Sequence, residues 1–123
     1  MPFKWHIAHG ERLVRATAEG VLTLPDIQDY LDDVVINNAG PYAKLVEMGS
    51  ATVQASDHDM LMLGARMRAY FASAPAGPVA FVVSDPANLE YVVRFINLSS
   101  GSRPAEIFRT AAEATAWLAA QQK

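Results

Sequence analysis

Short apolar runs along the chain alternate with longer segments in which apolar residues recur every three or four positions. The short runs, which lie between turn-forming residues, predict β-strands. They cover residues 4–9, 13–18, 43–47, 79–83 and 106–109. The first two runs flank a Gly-containing turn at 10–12 and predict a β-hairpin. The almost wholly apolar run 79–83 predicts a central strand that is covered on both faces.

The longer segments predict four helices, each of which begins at a capping signal. Thr23, Ser56 and Thr110 are each followed three residues later by Asp or Glu, which is the capping-box pattern. The third helix is predicted to begin at Ser84-Asp85-Pro86. The predicted inward residues are Ile27, Leu31, Val34 and Val35 in the first helix, Met60, Leu63, Gly64, Met67 and Phe71 in the second, Leu89, Val92, Val93 and Ile96 in the third, and Ala114, Trp117 and Leu118 in the fourth.

The predicted element order is β-β-α-β-α-β-α-β-α, which indicates the α/β class. Strands that alternate with helices are joined by βαβ crossovers, so we predict a mostly parallel, mixed five-stranded sheet with four helices. The hairpin adds one antiparallel strand at or near an edge. Ligands of such sheets bind beyond the carboxyl ends of the strands, which directs attention to the loops 48–59, 84–88 and 109–113.

Composition fits a single domain that spans residues 1–123. Hydrophobic residues make up 51% of the 123 residues and charged residues 19%. The net charge of −3 argues against a nucleic-acid partner, and the absence of Cys excludes disulfides, thiolate zinc sites and cysteine nucleophiles. The sequence shows no signal peptide and no apolar run of about 18 residues, so we expect a cytoplasmic protein without membrane insertion.

The loop 48–59 is the richest in residues that could carry chemistry. Ser50, Ser56, Asp57 and His58 lie within it and form a candidate regulatory or binding loop. The alternative interpretation is a solvated loop that ends in a helix cap, with Ser56 as the capping residue. His58 is the one candidate for acid–base chemistry, but its acidic neighbours point in different directions on a helical turn. We predict neither a metal site nor a cofactor.

The acidic residues of the first helix and the glycines do not indicate a catalytic site. Asp26, Asp29, Asp32 and Asp33 lie opposite the apolar stripe of the first helix and are predicted to form a solvated face, with partner binding as the alternative. No phosphate-binding loop or nucleophile elbow is present. Gly77 and Gly101 are interpreted as loop glycines.

The methionines and aromatic residues suggest two further sites. Met60, Met67 and Phe71 would suit an apolar ligand pocket, although helix-spaced apolar residues also form ordinary cores. Tyr91 and Phe95 lie one helical turn apart, off the centre of the third apolar stripe. They are predicted to form an exposed patch of the kind that marks interaction surfaces.

Three segments together resemble the STAS domain, and more specifically the small bacterial stand-alone domains of that fold that are grouped with SEC14-type lipid-binding domains. The segments are KLVEM at 44–48, PVAFVVSD at 78–85 and IFRTAAEATAWL at 107–118. The resemblance implies a non-enzymatic regulatory or binding role. In anti-sigma-factor antagonists, a serine in a D-S-S-G loop before the second long helix is phosphorylated to switch partner binding. Ser56 corresponds to it in position, but the D-S-S-G sequence is absent here.

The leading hypothesis is a non-catalytic module that binds another protein or forms a homodimer. The alternative implied by the lipid-binding branch is a carrier of a small apolar ligand or lipid in a cavity between helices and sheet. An enzyme that uses His58 is the third hypothesis.

Overall fold

The structure is a computed structural model that describes residues 2–70, 72, 76–98 and 104–121. Within these residues the strands are β1 (Phe3–Ala8), β2 (Leu13–Ala18), β3 (Val21–Thr23), β4 (Ala43–Glu47), β5 (Thr52–Gln54), β6 (Val79–Val82) and β7 (Ala105–Phe108). The helices are α1 (Leu24–Ile36), α2 (Asp57–Tyr70), α3 (Pro86–Leu98) and α4 (Ala111–Gln121). None of the helices described has the length and apolar character that crossing a bilayer requires.

The main sheet confirms the predicted α/β class and its mixed, mostly parallel character. Its five strands lie in the order β1-β2-β4-β6-β7. β1 pairs antiparallel with β2 and forms one edge, and the other neighbouring pairs are parallel. β1 and β7 each begin one residue earlier than predicted. The carboxyl ends of β2, β4, β6 and β7 therefore meet at one edge of the sheet, where the candidate loops lie.

The two faces of the sheet are covered by different helices. Leu31 of α1, Leu63 of α2 and Val92 of α3 belong to the larger core, together with sheet residues such as Val46. Ala114 and Leu118 of α4 belong to a smaller core on the opposite face with Leu45. Adjacent residues of β4 thus serve different cores, because side chains alternate between the faces of a strand.

Polar side chains start the helices as the capping patterns predict. The Asp26 carboxylate accepts bonds from the Thr23 backbone N–H and hydroxyl, at 2.9 and 2.8 Å. At α4, the Thr110 hydroxyl lies 3.2 Å from the backbone nitrogen of Glu113 and donates to the Glu113 carboxylate. Asp85 accepts the backbone N–H of Ala87 at the start of α3. These bonds satisfy donors that the first helical turn leaves without partners.

A second, two-stranded sheet was not predicted. β3 and β5 pair in parallel next to the carboxyl-end edge of the main sheet. Each follows a glycine with positive φ, Gly20 at 64° and Gly49 at 50°. Strands of three residues carry too short a pattern to be recognised from sequence. We call this pair of strands the ribbon.

The inward face predicted for α3 was partly wrong. Val92 is buried, but Leu89 and Val93 are 42% and 43% exposed. The buried face of the helix includes a polar residue instead, Asn88, which is 2% exposed. The buried face of α3 is therefore centred nearer Asn88 and Val92 than the face predicted from the apolar residues alone. Val35, at the end of α1, is likewise exposed rather than inward.

The acidic residues of α1 were predicted to form a solvated face, and for two of them this was wrong. Asp33 accepts a hydrogen bond of 2.7 Å from the Trp5 indole N–H. Asp32 accepts bonds of 2.8 and 3.1 Å from the Arg66 guanidinium and a further bond from the Tyr70 hydroxyl. Asp32 thus joins α1 to α2. Asp29 remains exposed.

These contacts predict a pH-dependent stability. The Tyr70 hydroxyl, and secondly Arg66, hold the pKa of Asp32 below its ordinary value against the opposing effect of partial desolvation. A lowered pKa in the folded state stabilises the protein above the unfolded-state pKa, and this contribution is lost as the pH falls through the folded-state pKa. We therefore expect Asp32→Asn to lower the free energy of unfolding at pH 7. The difference should shrink as the pH falls below the ordinary carboxyl range and Asp32 becomes protonated in the folded state as well.

Urea denaturation of the two proteins across this pH range measures the difference. Asp29→Asn is the matched control, because it removes an exposed carboxylate from the same helix. If the difference in free energy of unfolding between Asp32→Asn and wild type stays constant from pH 7 to pH 2, the lowered pKa of Asp32 does not contribute to stability.

Candidate functional site

The loop 48–56 leaves the carboxyl end of β4 and leads to α2. A turn closed by the bond from the Ala51 backbone N–H to the Met48 carbonyl begins it, and Ser50 is exposed on this turn. Ser56 is exposed and caps α2. Its hydroxyl accepts the Asp59 backbone N–H at 3.1 Å, and the Asp59 carboxylate accepts the Ser56 backbone N–H at 3.1 Å. The serine therefore has a structural role at the start of the helix.

The acidic and imidazole groups of the loop do not converge on one point. Asp57 forms an ion pair with Arg94 of α3, and Arg94 also lies 3.7 Å from the Glu90 carboxylate. His58 is exposed on the first turn of α2. Within the described part of the chain, no three His, Asp or Glu side chains are grouped closely enough to hold a metal ion. The geometry brings Asp57 to α3 and leaves Ser50, Ser56 and His58 facing solvent.

An apolar cavity, partly open to solvent, lies between the helices and the sheet below this loop. Its volume is about 80 Å³, and the described residues turn no polar atom toward it. Its wall includes Val46 and Phe81 of the main sheet, Met60 and Leu63 of α2, and Tyr91 and Phe95 of α3. Leu22 and Val53 of the ribbon and Ile27 of α1 also line it. The residues of this wall come from separate elements that meet only in the folded protein. Their spacing along the sequence therefore does not predict the cavity.

The residues predicted for a pocket and for an exposed patch are arranged differently from the prediction. Met60 lines the cavity, whereas Met67 is buried in the same core outside the cavity wall. Phe71 lies outside the described residues. Tyr91 and Phe95 are half-buried, pack against the larger core and line the cavity.

Larger apolar exposure is found on other residues of the same two helices. Leu61 and Met62 of α2 are 55% and 48% exposed, and Leu89 and Val93 of α3 are comparably exposed. α2 and α3 contact one another on the same face of the main sheet. Val93 borders Ala105 and Ile107 of the edge strand β7, whereas the neighbouring Arg94 pairs with Asp57 of α2, so the exposed residues form one pair on each helix. We call these two pairs together the α2–α3 surface.

Asn88 is a further candidate that sequence reasoning did not single out. Its side-chain amide donates a 2.7 Å bond to the carbonyl of Ala51, the residue that precedes the ribbon strand β5. Both residues are buried. One signal for it is present in the sequence: Asn88 is a polar residue on the same helical face as Val92 and Phe95. It also lies at the end of 84–88, one of the three loops selected from the sheet topology.

These features define an α/β domain of the STAS-like class. A solved structure described as the anti-sigma factor antagonist SpoIIAA in its unphosphorylated form is similar to this chain, with a TM-score of 0.59, 17% identity, and coverage of 95% of this chain and 97% of that chain. An uncharacterised protein of the DUF3478 family with a SpoIIAA-like fold, from Shewanella loihica PV-4, is similar with a TM-score of 0.61, 20% identity, and coverage of 94% and 93%. No protein-family model matches the sequence, and a search of the curated proteins finds no match. The STAS resemblance drawn from the sequence is thereby confirmed for the fold.

Proposed function

We propose that the protein is a non-catalytic module that acts by binding another protein. The observation that carries the proposal is the α2–α3 surface, on which four large apolar side chains of two adjacent helices are each more than 40% exposed. Single exposed apolar residues are ordinary in soluble proteins, whereas adjoining ones, such as Leu61 with Met62 and Leu89 with Val93, favour interaction sites. The proposal places the contact on Leu89 and Val93 rather than on the half-buried Tyr91 and Phe95.

The fold supports a role in recognition. One similar solved structure is described as an anti-sigma factor antagonist, a description that refers to action on another protein. In this chain a second copy is the partner we expect first, so the proposal includes a homodimer. A cytoplasmic location is also part of the proposal and rests on the absence of Cys.

The polar loop extends this surface at the start of α2. Ser56, Asp57 and His58 occupy the cap and the first turn, less than two turns from Leu61. A phosphoryl group on Ser56 would lie at the positive end of the helix dipole, beside the carboxylates of Asp57 and Asp59. We propose that the charge at Ser56 modulates binding, with Ser50 as a second accessible serine of the loop.

Replacing an apolar residue of the α2–α3 surface by a charged one is expected to weaken the interaction. Leu61→Asp and Val93→Asp should each reduce partner affinity by about tenfold or more, because a charge would be buried against the partner. Ser56→Glu should change affinity without loss of the fold. Sedimentation velocity measures self-association, and capture from extracts of the source cells followed by mass spectrometry measures a foreign partner.

The matched control is Thr115→Asp, which places the same charge on an exposed position of α4, on the opposite face of the sheet. It should leave both readouts unchanged. If Leu61→Asp and Val93→Asp bind the partner as strongly as the wild type does, the α2–α3 surface is not the binding site.

The apolar cavity favours a second candidate function, the binding of a small apolar ligand. A cavity of about 80 Å³ is smaller than the engineered cavity of about 150 Å³ that accommodates benzene. In this conformation it suits a compact apolar group and not an acyl chain. Shifts of the Leu22, Val46 and Val53 methyl resonances under xenon pressure would support this candidate, and unshifted resonances would remove it.

A further inference from the structure

The ribbon covers one side of the apolar cavity. Its strands place Leu22 and Val53 inward, 3% and 8% exposed, where both line the cavity. The flanking residues Val21, Thr52 and Gln54 face solvent. The ribbon is therefore one residue thick, with an apolar inner face toward the cavity and an exposed outer face.

We propose that the ribbon is a lid over one side of the cavity and that Asn88 is the latch that holds the ribbon against α3. The consequence for ligand entry rests on the second candidate function, but the opening of the ribbon does not. The proposal assigns a role to a buried polar residue that neither the capping of α3 nor the packing of the core requires.

The ribbon has little stability of its own. A two-stranded sheet is at best marginally stable in water, and each strand here has only three residues. Gly20 and Gly49 lie where β3 and β5 separate from the main sheet, and both adopt positive φ values, which glycine reaches without strain. The Thr52 backbone N–H donates a 2.7 Å bond to the Gly20 carbonyl and joins the two glycine ends of the ribbon.

Asn88 lies at the boundary between the ribbon and α3. It shares the inward face of α3 with Tyr91, Val92 and Phe95, all of which line the cavity. Its bond to the Ala51 carbonyl connects that face to the start of β5. Because both groups are buried, breaking the bond without admitting water would leave two polar groups without partners. The bond therefore favours two states. In one, β5 stays against α3; in the other, the two separate far enough for water to reach the Asn88 amide and the Ala51 carbonyl.

Hydrogen exchange of the backbone amides tests the lid without any ligand. In the wild type we expect the Thr52 amide to exchange through a local opening whose rate is independent of low urea concentrations, unlike the amides of Val46 and Phe81. Asn88→Ala should accelerate Thr52 exchange by about tenfold beyond any change at Val46 and Phe81, since it removes one buried hydrogen bond.

Asn37→Ala is the matched control. Its side-chain amide also donates to a backbone carbonyl, that of Asp33 at 2.8 Å, but at the end of α1. It should leave Thr52 exchange unchanged relative to Val46.

Equal opening free energies for Thr52 and Val46 in the wild type would overturn the lid, and this measurement decides the matter if Asn88→Ala does not fold. Unchanged Thr52 exchange in a folded Asn88→Ala variant would overturn the latch. If xenon shifts no cavity methyl while Thr52 opens locally, the ligand function fails and the lid stands. If xenon binds but Thr52 opens only with the whole protein, the lid alone fails.

Discussion

Gly77→Ala is expected to destabilise the protein by about 3 kcal/mol or more, the upper end of what overpacking costs. A Cβ atom at Gly77 would lie 2.2 Å from the Tyr42 carbonyl oxygen and 2.3 Å from that of Pro41. Both obstacles are backbone atoms, so no side-chain rotation relieves the overlap. The Gly77 backbone N–H also donates a 2.9 Å bond to the Gly40 carbonyl, which fixes the two segments at this separation.

The turn that Gly77 contacts cannot shift without other losses. Lys44, which is 4% exposed in β4, donates through its ammonium to the carbonyls of Gly40 and Tyr42. The Tyr42 hydroxyl lies 2.8 Å from Nδ1 of His9. A displacement of the turn would leave a buried ammonium group with weaker bonds, which is costly in an apolar interior.

Gly10→Ala is the matched control for this prediction. An added Cβ at Gly10 meets no atom within 4 Å, and the residue is exposed. Urea denaturation should show a change within about 0.5 kcal/mol for Gly10→Ala. A comparably small change for Gly77→Ala would contradict the close packing of residues 40–42 against Gly77.

Gly77 also illustrates which parts of the structure the sequence could predict. Caps and strands follow from local chemistry, so Thr23, Ser56 and Thr110 correctly marked three helix starts, and the run 43–47 is a strand with the predicted bounds. The close approach at Gly77, interpreted as a loop glycine, depends on a turn 35 positions away in the chain. Gly101 lies outside the described residues.

The location of the candidate site stays a prediction. Sheet topology selected the loops at 48–59 and 84–88, which hold Ser56 and Asn88. The ribbon was missed because its strands are short, and the exposed and buried faces of α3 were misplaced because Asn88 lies inward. A buried amide is recognisable only from its partner, here the Ala51 carbonyl on another segment. Non-local contacts of this kind leave no periodic signal in the sequence.

α2 contributes to both candidate functions through opposite faces. Leu61 projects outward as part of the α2–α3 surface, and Leu63 projects inward to the cavity and is 1% exposed. The ion pair between Asp57 and Arg94 connects the start of this helix to α3. A ligand that separates the two helices would therefore also alter the surface offered to a partner, so the two functions are compatible in one molecule.

Leu63→Ala is expected to destabilise the protein by about 3 to 4 kcal/mol, because it removes a buried side chain and enlarges a cavity that already exists. The same change should create a benzene site. The enlarged space would approach the size of about 150 Å³ at which an apolar cavity stays dry and binds benzene. At a benzene concentration about five times the dissociation constant, binding should restore about 1 kcal/mol of stability to the variant.

Thermal and urea denaturation with and without benzene measure both effects. Leu61→Ala is the matched control on the same helix, because its side chain is 55% exposed and its removal should change stability by about 0.5 kcal/mol or less. Leu61→Ala should gain no more from benzene than the wild type does. A Leu63→Ala variant that loses the expected stability but gains nothing from benzene would mean that α2 closes over the vacated space. That result would remove the support that the cavity gives to ligand binding and would leave protein recognition as the function best supported by the fold.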